Sequence, residues 1–217
     1  MKFETAIFDL DGTLCDTTLD IGTAVNHGLE IMGLTRPNPR DYDNFVGNGT
    51  DKMIERALGD NFLPRRVLQV KEYYKEYYAT HFDVFTTAYD GMPECIKALK
   101  EKGFKLAVVT NKIDFISAAV VEKYYGKGLF DIIIGQKPGA PLKPDPAVTL
   151  QVMKDLSANP QTTAFIGDSD VDIKTGINAG VTPIGVSWGY RDKECQTQAG
   201  AEIFADSPKR LFEILTK

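Results

Sequence analysis

Four aspartates, in two clusters that each follow a short apolar run, are the side chains in this sequence best suited to chemistry. Asp9 and Asp11 stand in Phe8-Asp9-Leu10-Asp11-Gly12-Thr13, directly after Ala6-Ile7. Asp168 and Asp172 stand in Gly167-Asp168-Ser169-Asp170-Val171-Asp172, directly after Ala164-Phe165-Ile166. Apolar runs of that length bounded by turn residues read as buried strands, which puts the carboxylates at strand ends. Like charges gathered there raise one another's pKa. A divalent cation relieves the repulsion, and hard oxygen ligands suit Mg2+. A carboxylate left facing a substrate is ionised at neutral pH without help, so it can act as a nucleophile.

Two further motifs lie between the clusters. Val108-Val109-Thr110-Asn111-Lys112 ends another apolar run in a hydroxyl, an amide and an amine, and Leu142-Lys143-Pro144-Asp145-Pro146 sets a lysine just before a helix start. Together the four supply an anion cradle, a fixed cation, a metal cage and a nucleophile, which is what phosphoryl transfer needs. Each alone has an ordinary reading: Asp11-Gly12 is a turn, Asp168-Ser169-Asp170 a helix cap, Thr110-Asn111 a strand end and Lys143 a solvated lysine. Their order, each closing a strand or opening a helix, is what the ordinary readings leave unexplained. Lys137-Pro138 is a rival to Lys143-Pro144, but it precedes Gly139-Ala140-Pro141 and reads as loop.

The elements that must position these residues are an open sheet and a helical insert. Short strands are expected at 4–8, 105–110, 131–135, 163–166 and 182–186, the last being the final clear one. Helices are expected at 93–102, 115–125, 146–156 and 172–179. Such alternation argues for an α/β fold, a Rossmann-like parallel sheet with helices on both faces, and ligands bind at the carboxyl ends of the strands in these sheets. From about Thr17 to Thr80 the periodicity is helical throughout, with Leu63, Val67, Val70, Tyr74 and Tyr77 forming one apolar and aromatic stripe. This segment is expected to be an inserted all-helical cap domain. The division expected is 1–15 with 84–217 as catalytic core and 16–83 as cap.

The ordered set Asp9-Leu10-Asp11-Gly12-Thr13, Thr110-Asn111, Lys143-Pro144 and Gly167-Asp168-Ser169-Asp170-Val171-Asp172 resembles the haloacid dehalogenase superfamily of phosphohydrolases, over essentially the whole chain. Phe45-Val46-Gly47-Asn48-Gly49 with Thr110-Asn111-Lys112 is similar to its phosphoglycolate phosphatases. The resemblance implies that Asp9 attacks phosphorus and that Asp11 protonates the leaving oxygen and then deprotonates water. It implies Mg2+ held by Asp9, the Asp11 backbone carbonyl and Asp168, with Asp172 supporting the metal shell. It places Thr110 and Lys143 on the transferring phosphoryl group, with Asn111 beside them, and makes Gly47, Asn48 and Gly49 a substrate-closing loop of the cap. Thr50-Asp51-Lys52 is expected to add polar contacts. A dehalogenase expels halide without protonation, so Asp11 points away from that chemistry. The substrate implied is a small phosphorylated metabolite, 2-phosphoglycolate first, with pyrophosphate, a nucleoside monophosphate or a sugar phosphate as competitors. A sugar phosphomutase and a non-catalytic binding protein are the remaining readings.

Composition bounds the partners. The 217 residues carry 25 Lys and Arg against 30 Asp and Glu, a net charge of −5 that argues against general affinity for nucleic acid or an acidic membrane surface. No run approaches the roughly 18 apolar residues of a membrane span, and Met1 to Thr5 lacks the pattern of an export signal. Cys15, Cys95 and Cys195 are odd in number and lack CxxC spacing, which suits free thiols in a cytoplasmic protein. A monomer or homodimer is expected. Trp188-Gly189-Tyr190-Arg191 either lines the mouth of the site or packs on the core.

Overall fold

The computed structural model describes residues 3–217. In chain order the strands are β1 (Thr5–Phe8), β2 (Cys15–Asp16), β3 (Thr87–Ala88), β4 (Lys105–Ile113), β5 (Ile132–Gln136), β6 (Thr163–Gly167), β7 (Thr182–Val186) and β8 (Ile203–Ala205). Six of them make one sheet in the order β5-β4-β1-β6-β7-β8, every neighbouring pair parallel. The α-helices are α1 (Thr18–Ile31), α2 (Tyr42–Phe45), α3 (Thr50–Leu58), α4 (Pro64–Tyr78), α5 (Met92–Glu101), α6 (Asp114–Tyr125), α7 (Ala147–Asp155), α8 (Asp170–Asn178), α9 (Lys193–Gln198) and α10 (Pro208–Thr216). Among the described residues no helix is long and apolar enough to cross a membrane.

Parallel strands must be covered on both faces, and the two-residue period of each strand divides its side chains between them. Ala6 and Phe8 of β1 join Leu106, Val108, Ala164 and Ile166 in one apolar cluster with Ile96 and Leu99 of α5, Ile116 and Val120 of α6, and Leu211 and Leu215 of α10. Ile7 turns the other way, to Ala107, Val109 and Phe165 and to Val152 and Met153 of α7. The expected doubly covered parallel sheet is therefore present.

Register puts the chemistry on one edge. Phe8, the last residue of β1, is level with Val108 of β4 and Ile166 of β6. Asp9, Thr110 and Asp168 therefore emerge together, at the strand where the connections diverge to left and right. β4 runs three residues beyond its expected end, and its pairing with β5 shifts register between Val109 and Ile113. That irregularity turns Thr110, Asn111 and Lys112 out of a regular ladder. Helix α8 begins at Asp170 rather than Asp172, because Ser169 and Asp172 cap it reciprocally.

Five elements lay beyond the sequence pattern: β2, β3, β8, α9 and α10. β8 adds a sixth strand after β7, and α10 covers it. Three residues with only Ala205 buried are too short a run to show a period. In the helical segment, the buried stripe of α4 is Val67, Val70, Tyr74 and Tyr78. Tyr77 is only partly buried, and Leu63 precedes the helix and is exposed. The buried stripe of α4 packs with Ile21, Val25 and Leu29 of α1 and with Met53 and Ile54 of α3.

The segment leaves and rejoins the sheet layer at the antiparallel ribbon β2–β3. Asp20, in the first turn of α1 and almost wholly buried, braces the returning strand: its carboxylate accepts from Phe85 N at 3.0 Å, Thr86 N at 2.8 Å and Thr86 Oγ1 at 2.7 Å. Removing a buried acceptor strands several donors at once. Asp20→Ala is expected to cost about 2–4 kcal/mol in a urea unfolding experiment, from the desolvation of donors left without partners.

Candidate active site

Asp9 follows β1, Asp168 follows β6, and Asp172 lies in the first turn of α8; all three are at least nine-tenths buried. Each offers an oxygen within 4.8 Å of the others'. Lys143, itself buried, puts Nζ 2.8 Å from Asp9 Oδ1 and 2.6 Å from Asp172 Oδ1. The second contact is a directed hydrogen bond. The first is an ion pair made off the hydrogen-bonding direction, and Asp9 Oδ1 is buried with no donor aimed at it. Lys137 is exposed and pairs with Asp114 instead.

Asp172 is the most fully engaged of the three. Its Oδ2 accepts from Ser169 N at 3.0 Å and Ser169 Oγ at 2.6 Å, while Oδ1 takes Lys143. Asp168 accepts from Tyr190 N at 2.7 Å and more distantly from Thr13 Oγ1 at 3.4 Å. Glycine lets the backbone close around it. A Cβ on Gly12, whose φ is +83°, would stand 2.4 Å from Asp168 Oδ2, and one on Gly189 would stand 2.3 Å from Asp168 Cβ.

Three carboxylates around one ammonium leave an excess of buried negative charge. Burial, then the neighbouring Asp172 carboxylate, pushes Asp9 up to about 7 against the counter-pull of Lys143. Burial, then Asp172 and Asp9, pushes Asp168 up to about 8. Burial pulls the Lys143 ammonium down, but Asp172 and Asp9 outweigh it and leave the pKa above the ordinary lysine value. An unsatisfied buried oxygen, an all-oxygen donor set and carboxyls resisting ionisation together fit a hard divalent cation. The Asp11 carboxylate is not part of this cluster. Its Oδ1 accepts from Thr17 Oγ1 at 2.6 Å and from Lys112 Nζ at 2.9 Å.

Asn111 is the seam of the site. Its Oδ1 accepts from Lys143 N at 2.9 Å, and its Nδ2 donates to Lys143 O at 3.1 Å and to Gly47 O at 2.9 Å. One amide thus fixes the lysine's peptide and ties the sheet edge to the helical layer. Gly47, Gly49 and Thr50 line the cavity, as do Thr110 and Asp11. Asn48 instead turns its side chain to Arg56 Nη2 at 2.7 Å. Asp51 and Lys52 also face elsewhere, to Lys71 and Glu55. The cavity lined by Gly47, Gly49 and Thr50 is about 40 Å3 and partly open.

The Trp188–Arg191 loop does both things expected of it. Trp188 packs against the core and donates from Nε1 to Thr13 O at 3.1 Å, while Tyr190 and Arg191 line the cavity. Arg191 donates to the carbonyls of Asp43, Asn44 and Val46, and Arg56 holds the same segment at Phe45 O. Lys112 and Ser169 carry site contacts to which the sequence reading gave no role. Lys112 and Ser169 stood inside the motifs, so adjacency was their signal. Tyr190 and Arg191 follow no motif, and only the fold brings them to the carboxylates.

The haloacid dehalogenase-like hydrolase family matches residues 6–186. A phosphoglycolate phosphatase of Aquifex aeolicus is 35% identical over 184 residues, covering 85% of this chain and 84% of its own. Another, from Psychrobacter arcticus, is 36% identical over 225 residues, covering 100% of this chain and 97% of its own. A crystal structure from Lactobacillus delbrueckii subsp. bulgaricus, provisionally assigned as a phosphoglycolate phosphatase, superposes with a TM-score of 0.92 at 32% identity, covering 100% of this chain and 99% of that one.

The shifted carboxyls make stability depend on pH. Asp9 and Asp168 hold protons in the folded state up to about 7 and about 8, well above the ordinary aspartate value of 3.8. The folded chain then binds more protons than the unfolded chain across that window, so metal-free protein is expected to lose stability as pH rises from about 4 to 8. A loss of 1–2 kcal/mol lowers Tm by roughly 3–6 °C for a chain of this size. Thermal melts with and without Mg2+ check this, with the gap widening as pH rises because the ligands must shed protons to bind.

Proposed function

The chain belongs to the haloacid dehalogenase-like hydrolases and is a phosphoric monoester hydrolase, and from that premise we propose that it cleaves 2-phosphoglycolate through an aspartyl-phosphate on Asp9. What supports the mechanism is Asp9 among the residues lining the cavity, its Oδ1 held 2.8 Å from Lys143 Nζ. A carboxylate fixed in that way is an oriented nucleophile.

In the first step an Asp9 carboxylate oxygen bonds to phosphorus as the ester P–O bond breaks. The bonding pair leaves on the ester oxygen, which takes a proton from Asp11 and departs as the alcohol. In the second step water gives a proton to Asp11 as its oxygen bonds to phosphorus, and Asp9 leaves as a carboxylate. Lys143 and Thr110 carry charge on the phosphoryl oxygens, and Lys143 holds Asp9 in line. Mg2+ would be held by Asp9, Asp168 and the Asp11 backbone carbonyl, and when bound it neutralises negative charge at the phosphoryl group. Asp172, with both oxygens engaged by the protein, acts behind them by positioning Lys143.

The substrate reading is supported by the phosphoglycolate phosphatases to which the chain is similar over most of its length. Closure by Arg191 and Asn111 against the 43–47 segment keeps bulk water from the phosphoenzyme.

Phosphate release from 2-phosphoglycolate, pyrophosphate, a nucleoside monophosphate and a hexose phosphate, each with Mg2+, tests the reading. Preference for 2-phosphoglycolate is expected, with kcat lowered at least ~10³-fold in Asp9→Asn. Asp9-dependent turnover of a different ester reassigns the substrate. Turnover that survives Asp9→Asn sinks the aspartyl-phosphate.

A further inference from the structure

We propose that Lys112 and Tyr78 are positioning residues that fix which oxygen of Asp11 transfers the proton, and that they do so only while helix α4 is seated over the site. The proposal rests on the aspartyl-phosphate reading above. Lys112 ends the Thr110-Asn111-Lys112 run of β4, a place where a lysine would ordinarily reach solvent, yet its side chain is 2% exposed. A buried ammonium needs partners. Lys112 has two, from different layers: Nζ donates to Asp11 Oδ1 at 2.9 Å and to the Tyr78 hydroxyl at 2.7 Å, and it also lies 4.7 Å from the centre of the Tyr78 ring.

Tyr78 is the last residue of α4 and is wholly buried. Burial holds its phenol well above the ordinary tyrosine pKa, so it receives the lysine proton as a neutral group. The same Asp11 oxygen also accepts from Thr17 Oγ1 at 2.6 Å. Thr17 is itself held, its N–H donating to Tyr190 OH at 2.8 Å. Asp11 Oδ1 thus carries two donors on short bonds, while Oδ2 has none among the described residues. The carboxyl is pinned by one oxygen and presents the other to the cavity that Asp11 and Lys112 both line. Oδ2 is the oxygen that gives its proton to the departing ester oxygen and later takes one from water.

The consequence is a conditional aim for the Asp11 carboxyl. When α4 moves away, Lys112 loses the phenol, and the pin on Asp11 loosens with it. The proton donor is then aimed only over an enclosed substrate.

Leaving-group dependence tests this. A nitrophenolate departs without a proton, whereas the alkoxide of 2-phosphoglycolate requires one. Tyr78→Phe keeps the ring and removes only the hydroxyl, and a thermal melt verifies its fold. Rapid-mixing phosphorylation rates are measured for p-nitrophenyl phosphate and for 2-phosphoglycolate. The expected result is an aryl-to-alkyl rate ratio about tenfold or more above wild type, a part of the roughly 10²–10⁴-fold that positioned proton transfer supplies. Lys112→Met should raise the ratio further, and Lys112→Arg should restore part of it. Equal falls for both esters would show that the phenol merely seats the helix, and an unchanged ratio would show that the contact does not aim the acid. Either overturns the proposal. Wild-type protein without Asp9-dependent turnover of either ester overturns the underlying reading and this proposal together, and the wild-type control alone reveals it.

Discussion

Three buried carboxylates share one buried ammonium, and most of the architecture exists to make that arrangement tolerable. Lys143 stands between Asp9 and Asp172 but leaves Asp168 to a backbone N–H and a distant hydroxyl. Desolvated charges of one sign repel strongly in a low-dielectric interior. The protein meets this by engaging Asp172 on both oxygens and by holding Asp9 Oδ1 through the Lys143 ion pair alone among the described residues. The residual charge imbalance is what a cation and an anionic phosphoryl group, each alone poorly suited to an apolar interior, can correct together.

The sheet delivers these groups by register alone. β1 is flanked by β4 and β6 with its last residue level with theirs, so one turn after each strand is enough to bring the motifs together. The Lys143 loop has no strand of its own at that edge. Asn111 anchors it, using the backbone N–H and C=O of Lys143 much as a neighbouring strand would. The helical layer is joined to the same amide at Gly47 and to the β7 side by Arg191, so both walls of the cavity hang from residues already committed to the carboxylates.

What was legible in the sequence was whatever is local. Asp9 and Asp168 follow apolar runs, Lys143 precedes a proline-led helix, and the two-residue and 3.6-residue periods marked the sheet and the insert. Lys143 and Lys137 were told apart by the helix that follows Lys143, and the structure buries the first and leaves the second exposed. The parts that escaped are those defined by distant partners. Tyr78 was passed over for Tyr77, since a stripe at offsets of three and four does not settle which of two adjacent tyrosines turns inward. Lys112 looked like a polar strand end until α4 covered it. Tyr190 meets Asp168 across 22 positions and Thr17 across 173. No local period encodes such pairings. β8 was too short to carry a period at all.

The close walls around Asp168 have a consequence for how such a protein can diversify. Gly12 and Gly189 press against its carboxylate so tightly that any side chain at either position collides with it. Heritable change is therefore barred from that side of the chamber. The opposite side is lined by Ile21, Met53 and Tyr74, which also belong to the packed apolar core of the helical segment. A change of bulk there reshapes the chamber and loosens its roof in one stroke.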